Sequence, residues 1–207
     1  MTNHLKNIQF NFFKLSVLLL IINIISCDNG NYVPKPRGYF RINLPEKKYR
    51  LFDSIYPYTF EYPVYSTITP YTGSKSSEKY WINLTFPQFK AEINISYKKI
   101  NNNFDIMLQD ADLLVNKHIP KAIDINYEKI IHDSVRVYGL IYDILGNDVA
   151  SPCQFYLTDS TNHFLRGALY FRLAPNNDSL APVIDFLKKD IYHFINTFKW
   201  KEEKFKK

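Results

Sequence analysis

Tyr80-Trp81-Ile82-Asn83-Leu84-Thr85-Phe86 alternates apolar and polar side chains. After Pro87-Gln88, the run Phe89-Lys90-Ala91-Glu92-Ile93-Asn94-Ile95-Ser96-Tyr97 alternates again. A period of two, rich in β-branched and aromatic residues, is the pattern of a half-buried strand. Two such runs joined by two or three turn residues predict an antiparallel hairpin. The period then changes. From Asn103, a candidate cap, the apolar residues Phe104, Met107, Leu108, Ala111, Leu114 and Val115 recur every three or four positions. They share one helix face, with Asp105, Asp110, Asp112 and Lys117 off it, and Pro120 closes the helix.

Working outward, residues 58–62 lie between Pro57 and Pro63 and make an edge strand at best. Residues 124–132 fit either a helix or a strand. Residues 134–145, 153–157 and 164–173 read as three more strands, with Gly146-Asn147-Asp148 and Asp159-Ser160-Thr161-Asn162 as turns. A second helix, capped by Asp178 or Ser179 with Pro182 in its first turn, runs to about residue 198. Its buried stripe is Val183, Phe186, Leu187, Ile191, Phe194 and Ile195. Strands broken by two amphipathic helices, without strict β-α-β alternation, give an α+β fold. The expectation is a single domain, an antiparallel β-sheet packed by two amphipathic helices, over residues 38–207.

The chain opens in another style. Lys6 and Lys14, with no acid, precede the apolar run Leu15-Ser16-Val17-Leu18-Leu19-Leu20-Ile21-Ile22-Asn23-Ile24-Ile25-Ser26-Cys27. This is the layout of a secretory signal, and the run is too short to span a bilayer. Ile24-Ile25-Ser26-Cys27 resembles the bacterial lipobox, in which the Cys27 thiol is acylated and the signal is cut just before it. Residues 1–26 then form a lipoprotein signal peptide, and residues 27–37, with Gly30, Pro34 and Pro36, a lipidated flexible tether. Two or three acyl chains give the stable anchoring that a single chain does not. The expected product is a cell-envelope protein, lipid-anchored and periplasm-facing, whose membrane partner is reached through its N-terminal lipid.

Composition bounds the rest. The 16 Tyr and 16 Phe among 207 residues favour sheet and a packed interior over disorder. The net charge of +6 has no cluster behind it, so no nucleic-acid partner is expected. The densest charge run, residues 199–207, reads as a solvated tail. With Cys27 lipidated, Cys153 is unpaired, sits in a strand-like run and reads as a buried, inert thiol.

The densest polar stretch runs from Thr158 to Gly167. Residues crowded into one hairpin loop do not make a nucleophile–base–orienter set, and no Gly-x-Ser-x-Gly elbow exists. It reads as a tight turn in which Asp159 bonds the local backbone and Arg166 pairs across the sheet. As the most polar run capping two central strands, Asp159, Thr161, His163 and Arg166 also form the candidate docking turn. His4, His118, His132, His163 and His193 show no zinc-ligand spacing, and His118 is expected to cap the last carbonyls of its helix. Phosphate loops and dinucleotide fingerprints are absent. No catalytic residue, no metal ligand and no cofactor is therefore assigned. Asp-Ser pairs at Ser54, Ser134, Ser160 and Ser179 resemble acceptors of periplasmic O-glycosylation, and also suit turns and caps.

Several blocks have a familiar look. They are Gly38-Tyr39-Phe40-Arg41-Ile42-Asn43-Leu44-Pro45, Phe60-Glu61-Tyr62-Pro63, Trp81-Ile82-Asn83-Leu84 and Val137-Tyr138-Gly139-Leu140-Ile141-Tyr142-Asp143. A long block from Gln154 to Phe171 and the closing Thr197-Phe198-Lys199-Trp200 complete them. Together they resemble the gliding motility lipoprotein GldD family of Bacteroidota. The resemblance implies a non-enzymatic accessory or assembly component of gliding motility and the linked type IX secretion machinery, with envelope proteins of that machinery as partners. It carries over no catalytic or ligand residue. The strand–helix order also resembles the PsbP-like α+β fold, which leaves a periplasmic ligand-binding module as the second reading. A large apolar pocket would favour that reading, and an exposed aromatic patch a docking protein.

Overall fold

The computed structural model describes residues 38, 41–72 and 79–201. The expected signal, Cys27 and the tether lie outside them. In chain order the strands are β1 (Tyr49–Phe52), β2 (Tyr58–Pro63), β3 (Thr67–Pro70), β4 (Ile82–Phe86) and β5 (Ala91–Lys99). Helix α1 (Phe104–Asn116) precedes β6 (Asp124–His132), β7 (Val137–Leu145), β8 (Cys153–Thr158) and β9 (His163–Phe171). Helix α2 (Asn177–Thr197) and the short β10 (Lys199–Trp200) follow.

The hairpin sits where the alternation put it: Phe86 pairs with Ala91 and Ile82 with Ile95. Its connection is a 3-10 turn, Pro87–Phe89, closed by Lys90 in the left-handed region (φ 49°). From this pair the main sheet grows in the order β3-β4-β5-β9-β8-β7-β6, and every neighbour is antiparallel. The period of two gives it two distinct faces. Ile93 and Ile95 on β5, Leu165 and Leu169 on β9, and Phe155 and Leu157 on β8 are buried on the inner face. There they meet α2 through Val183, Leu187, Ile191 and Phe194. Truncating a fully buried residue such as Leu187 costs about 2–5 kcal/mol.

Two glycines allow close approaches. A Cβ at Gly167 would stand 2.2 Å from the Phe155 ring, and one at Gly139 only 1.8 Å from the Tyr156 carbonyl oxygen.

A second, three-stranded sheet has the order β1-β2-β10. Residues 58–62, expected as an edge, are instead its central strand. Pro63 ends the strand, so its missing N–H interrupts no ladder, and β1 and β10 pair on either side. This corrects the start of the tail as well, since Lys199 and Trp200 are strand rather than solvated coil, while residues 202–207 lie outside the described residues. Asp190, 2% exposed on α2, ties the start of this layer down. It accepts from Lys47 Nζ at 2.6 Å, Tyr49 OH at 2.9 Å and Tyr65 OH at 2.6 Å.

Other expectations shift by a few residues. The second helix is capped by Asn176, whose side chain accepts from Ser179 N, rather than by Asp178 or Ser179, and Pro182 falls in its second turn. Asn103 is the N-cap of α1, but its side chain accepts from Asn101 N instead of capping the turn. Residues 133–135 form a 3-10 turn ahead of β7. Residues 124–132 are a strand, on the sheet's outer edge.

Candidate functional site

Of the predicted docking turn, the structure brings Asp159 and Thr161 together. The Asp159 carboxylate accepts from the backbone N–H of Thr161, Asn162 and His163 at 3.0, 2.8 and 2.8 Å, and from the Thr161 hydroxyl at 3.0 Å. Burial works to raise its pKa, but these bonds outweigh it and hold the carboxyl below the usual carboxylate value. The turn exposes Ser160, Thr161 and Asn162. His163 is not on that surface: it is buried, hydrogen-bonded to Tyr97 OH at 2.7 Å and stacked on Trp200. Arg166 is three residues into β9 on the sheet's outer face, away from the turn. The four residues are thus not one patch, because strand alternation sends consecutive side chains to opposite faces. Ser54, Ser134, Ser160 and Ser179 are all exposed.

The site that sequence reasoning missed lies on the outer face. Helix α1 covers only part of it: Met107 and Ala111 pack on Phe164 and Tyr156, and Val115 on Tyr142 and Ile144. Over β4, β5 and β9 a cavity of about 550 Å³ remains, bordered by the helix flank. Its floor is set by register. Asn83 pairs with Asn94, Asn94 with Ala168, and Ser96 with Arg166, so Asn83, Asn94, Ser96 and Arg166 form a polar cluster across three strands. One side carries Trp81, whose ring is fixed by Nε1 donating to the Tyr97 carbonyl at 2.7 Å and by contact with Tyr71. The opposite side carries Leu113, Leu114 and Lys117 of α1.

Arg166 is held from behind. Its Nη2 donates to Gln154 Oε1 at 2.5 Å, and the Gln154 amide nitrogen bonds His118 Nε2 at 2.8 Å. An amide N–H₂ is a donor, so His118 Nε2 accepts and the ring is neutral with its proton on Nδ1. Burial, then the Arg166 charge, hold the His118 pKa below its ordinary value, in agreement with that state. His118 therefore bonds a sheet side chain, and the expectation that it would meet the last carbonyls of α1 is corrected. Burial also lowers the Arg166 pKa, opposed in part by Tyr170. Arg166 makes no ion pair among the described residues.

Elsewhere the chemistry is quiet. Cys153 is fully buried, and burial pushes its thiol up to about 12, the state of an inert thiol. No group of three or more His, Cys, Asp or Glu side chains among the described residues could hold a metal ion.

These features define an α+β domain whose antiparallel sheet is closed on one face and half open on the other, over a ligand-sized cleft. No helix among the described residues is long and apolar enough to cross a membrane. The model of the family described as gliding motility lipoprotein GldD matches residues 29–200, and the chain belongs to that family. Among solved structures, cyanobacterial PsbP (CyanoP) from Synechocystis sp. PCC 6803 is similar at 12% identity and a TM-score of 0.46. The match covers 78% of this chain and 97% of that one. No curated protein matches the chain.

Proposed function

We propose that this member of a gliding motility lipoprotein family is a lipid-anchored, periplasm-facing accessory component of the gliding apparatus. On this reading it also serves the linked type IX secretion machinery and catalyses no reaction. The observation that carries the proposal is the family match over residues 29–200 joined to Ser26-Cys27 at the end of the apolar run. Acyl chains of palmitate type on Cys27 hold the domain at the membrane, where effective concentration lets a weak docking patch suffice. The exposed tip of the 159–163 turn, centred on Thr161, is the proposed docking point toward other envelope proteins. Ser54, Ser134, Ser160 and Ser179 are proposed O-glycosylation acceptors.

The test is Cys27→Ala at the native locus, followed by envelope fractionation, mass spectrometry of the N-terminus and motility and secretion assays. The expected result is a released domain or an uncut precursor, with gliding lost. An unmodified mature N-terminus at another residue in the wild type would end the lipidation reading. A second reading, a ligand-binding module, is favoured by the 550 Å³ cleft.

A further inference from the structure

The cleft carries an imbalance that the fold alone does not require. Arg166, Lys98 and Lys117 line it against a single carboxylate, Asp110. Arg166 is half-buried, and a guanidinium withdrawn from water costs stability unless a counter-charge meets it. None does among the described residues. A second group is also unmet. Asn94 Oδ1 is buried with no hydrogen-bond partner among the described residues, and an orphaned acceptor costs a desolvation penalty until a donor arrives. Asn94 and Arg166 are diagonal neighbours on adjacent strands, because Ser96 faces Arg166 and Asn94 faces Ala168. Such pairs stand roughly 7–8 Å apart. An acceptor and a cation at that spacing, beneath the Trp81 ring and the Leu114 flank, ask for complementary groups on one molecule.

We propose that this cleft binds a small amphipathic carboxylate carrying an N–H donor beside its acid group, the chemistry of an N-acylated apolar amino acid. The carboxylate pairs with the guanidinium of Arg166, which Gln154 and His118 hold in place. The N–H donates to Asn94 Oδ1 once that side chain turns its oxygen out to the cleft, and the apolar body lies between Trp81 and Leu114. A volume of about 550 Å³ falls within the roughly 300–1,000 Å³ typical of small-molecule sites. This inference deepens the ligand-binding reading and does not depend on the role in motility, because it is tested in vitro.

The probe is dansyl-phenylalanine, which combines a carboxylate, an adjacent sulfonamide N–H and an apolar body. It is titrated into the full chain in phosphatidylcholine vesicles, with protein-free vesicles as the blank. The expected result is saturable dansyl fluorescence above the vesicle blank, shifted to the blue as the probe leaves water. Dansyl-phenylalaninamide, neutral at the same position, should bind at least tenfold more weakly to the unaltered protein, a comparison that needs no variant to fold. Arg166→Gln, which keeps a partner for Gln154, should weaken the acid at least tenfold, and Asn94→Leu about threefold or more. Competition then separates two sources of the same chemistry. N-acetylphenylalanine displacing the probe as well as a longer peptide ending in phenylalanine indicates a free acid, and stronger displacement by the peptide indicates a protein C-terminus. No saturable binding, equal affinity for acid and amide, or binding that ignores Arg166→Gln overturns the proposal.

Discussion

Asp190 offers a quantitative test of how the N-terminal layer is fastened. Its carboxylate is 2% exposed and receives three donors from residues more than 120 positions earlier in the chain. Asp190→Ala removes all three acceptor contacts at once. Breaking a buried ion pair costs about 3–5 kcal/mol. Here the Lys47 side chain is 27% exposed, bonds the Phe186 carbonyl at 2.8 Å and lies 3.3 Å from the Phe186 ring centroid, so it keeps some partners. The Tyr49 and Tyr65 hydroxyls, half-buried, regain some water. Discounting for both gives about 3 kcal/mol, and at 2–4 °C per kcal/mol for a domain of this size, a fall in Tm of about 6–12 °C. Asp190→Asn keeps the volume and one acceptor and should cost only about 1–2 kcal/mol. Urea unfolding followed by the fluorescence of Trp81 and Trp200 measures both. If the alanine variant loses less than about 1 kcal/mol at unchanged m, or no more than the asparagine variant, the three bonds do not fasten the layer.

Two further outcomes are expected. Gly167→Ala drives a Cβ into the buried Phe155 ring and should cost about 1–3 kcal/mol in urea unfolding. Pairing it with Phe155→Leu should recover part of that loss, so purely additive effects in the double-mutant cycle would refute the contact. The depressed His118 pKa means the unfolded chain takes up its proton first as pH falls. The His118 contribution is complete above the ordinary histidine value of 6.5 and is lost as pH drops through it toward the lower folded value. His118→Gln should therefore flatten the stability–pH curve below pH 6.5, and an unchanged slope there would count against a neutral His118 in the fold.

The long elements were legible because their periods are clean. Both helices and the β4–β5 hairpin follow from spacing alone, as their buried residues show. Residues 124–132 stayed ambiguous for a physical reason. As an outer-edge strand, β6 exposes Asn126, Tyr127, Glu128 and Lys129 in succession, so neither period is imposed on it. Short β1, β3 and β10 have no local signature, because partners distant in sequence create them. The cleft was hidden for a related reason. Asn83, Asn94, Ser96 and Arg166 sit at the polar positions of alternating strands, where sequence suggests water. Only the β4-β5-β9 register joins them, and only the partial cover of α1 turns an outer face into a cavity. Grouping Arg166 with its sequence neighbours in the turn concealed it further.

The way β2 is flanked has a mechanical side. Both β1 and β10, the first and last strands, hold the same strand, so fraying at either end loosens a neighbour of the other. A pull entering from the N-terminal side would first strain the exposed hydrogen bond from Gln88 to the Asn43 carbonyl. It would next meet Lys47, whose ammonium is bound to the Asp190 carboxylate and the Phe186 carbonyl on α2. Tension would thus pass into the 21-residue helix before any hydrogen bond of β1 was loaded. Lys47 would act as a cleat, letting such a pull be taken up by α2 without peeling the small sheet from the core.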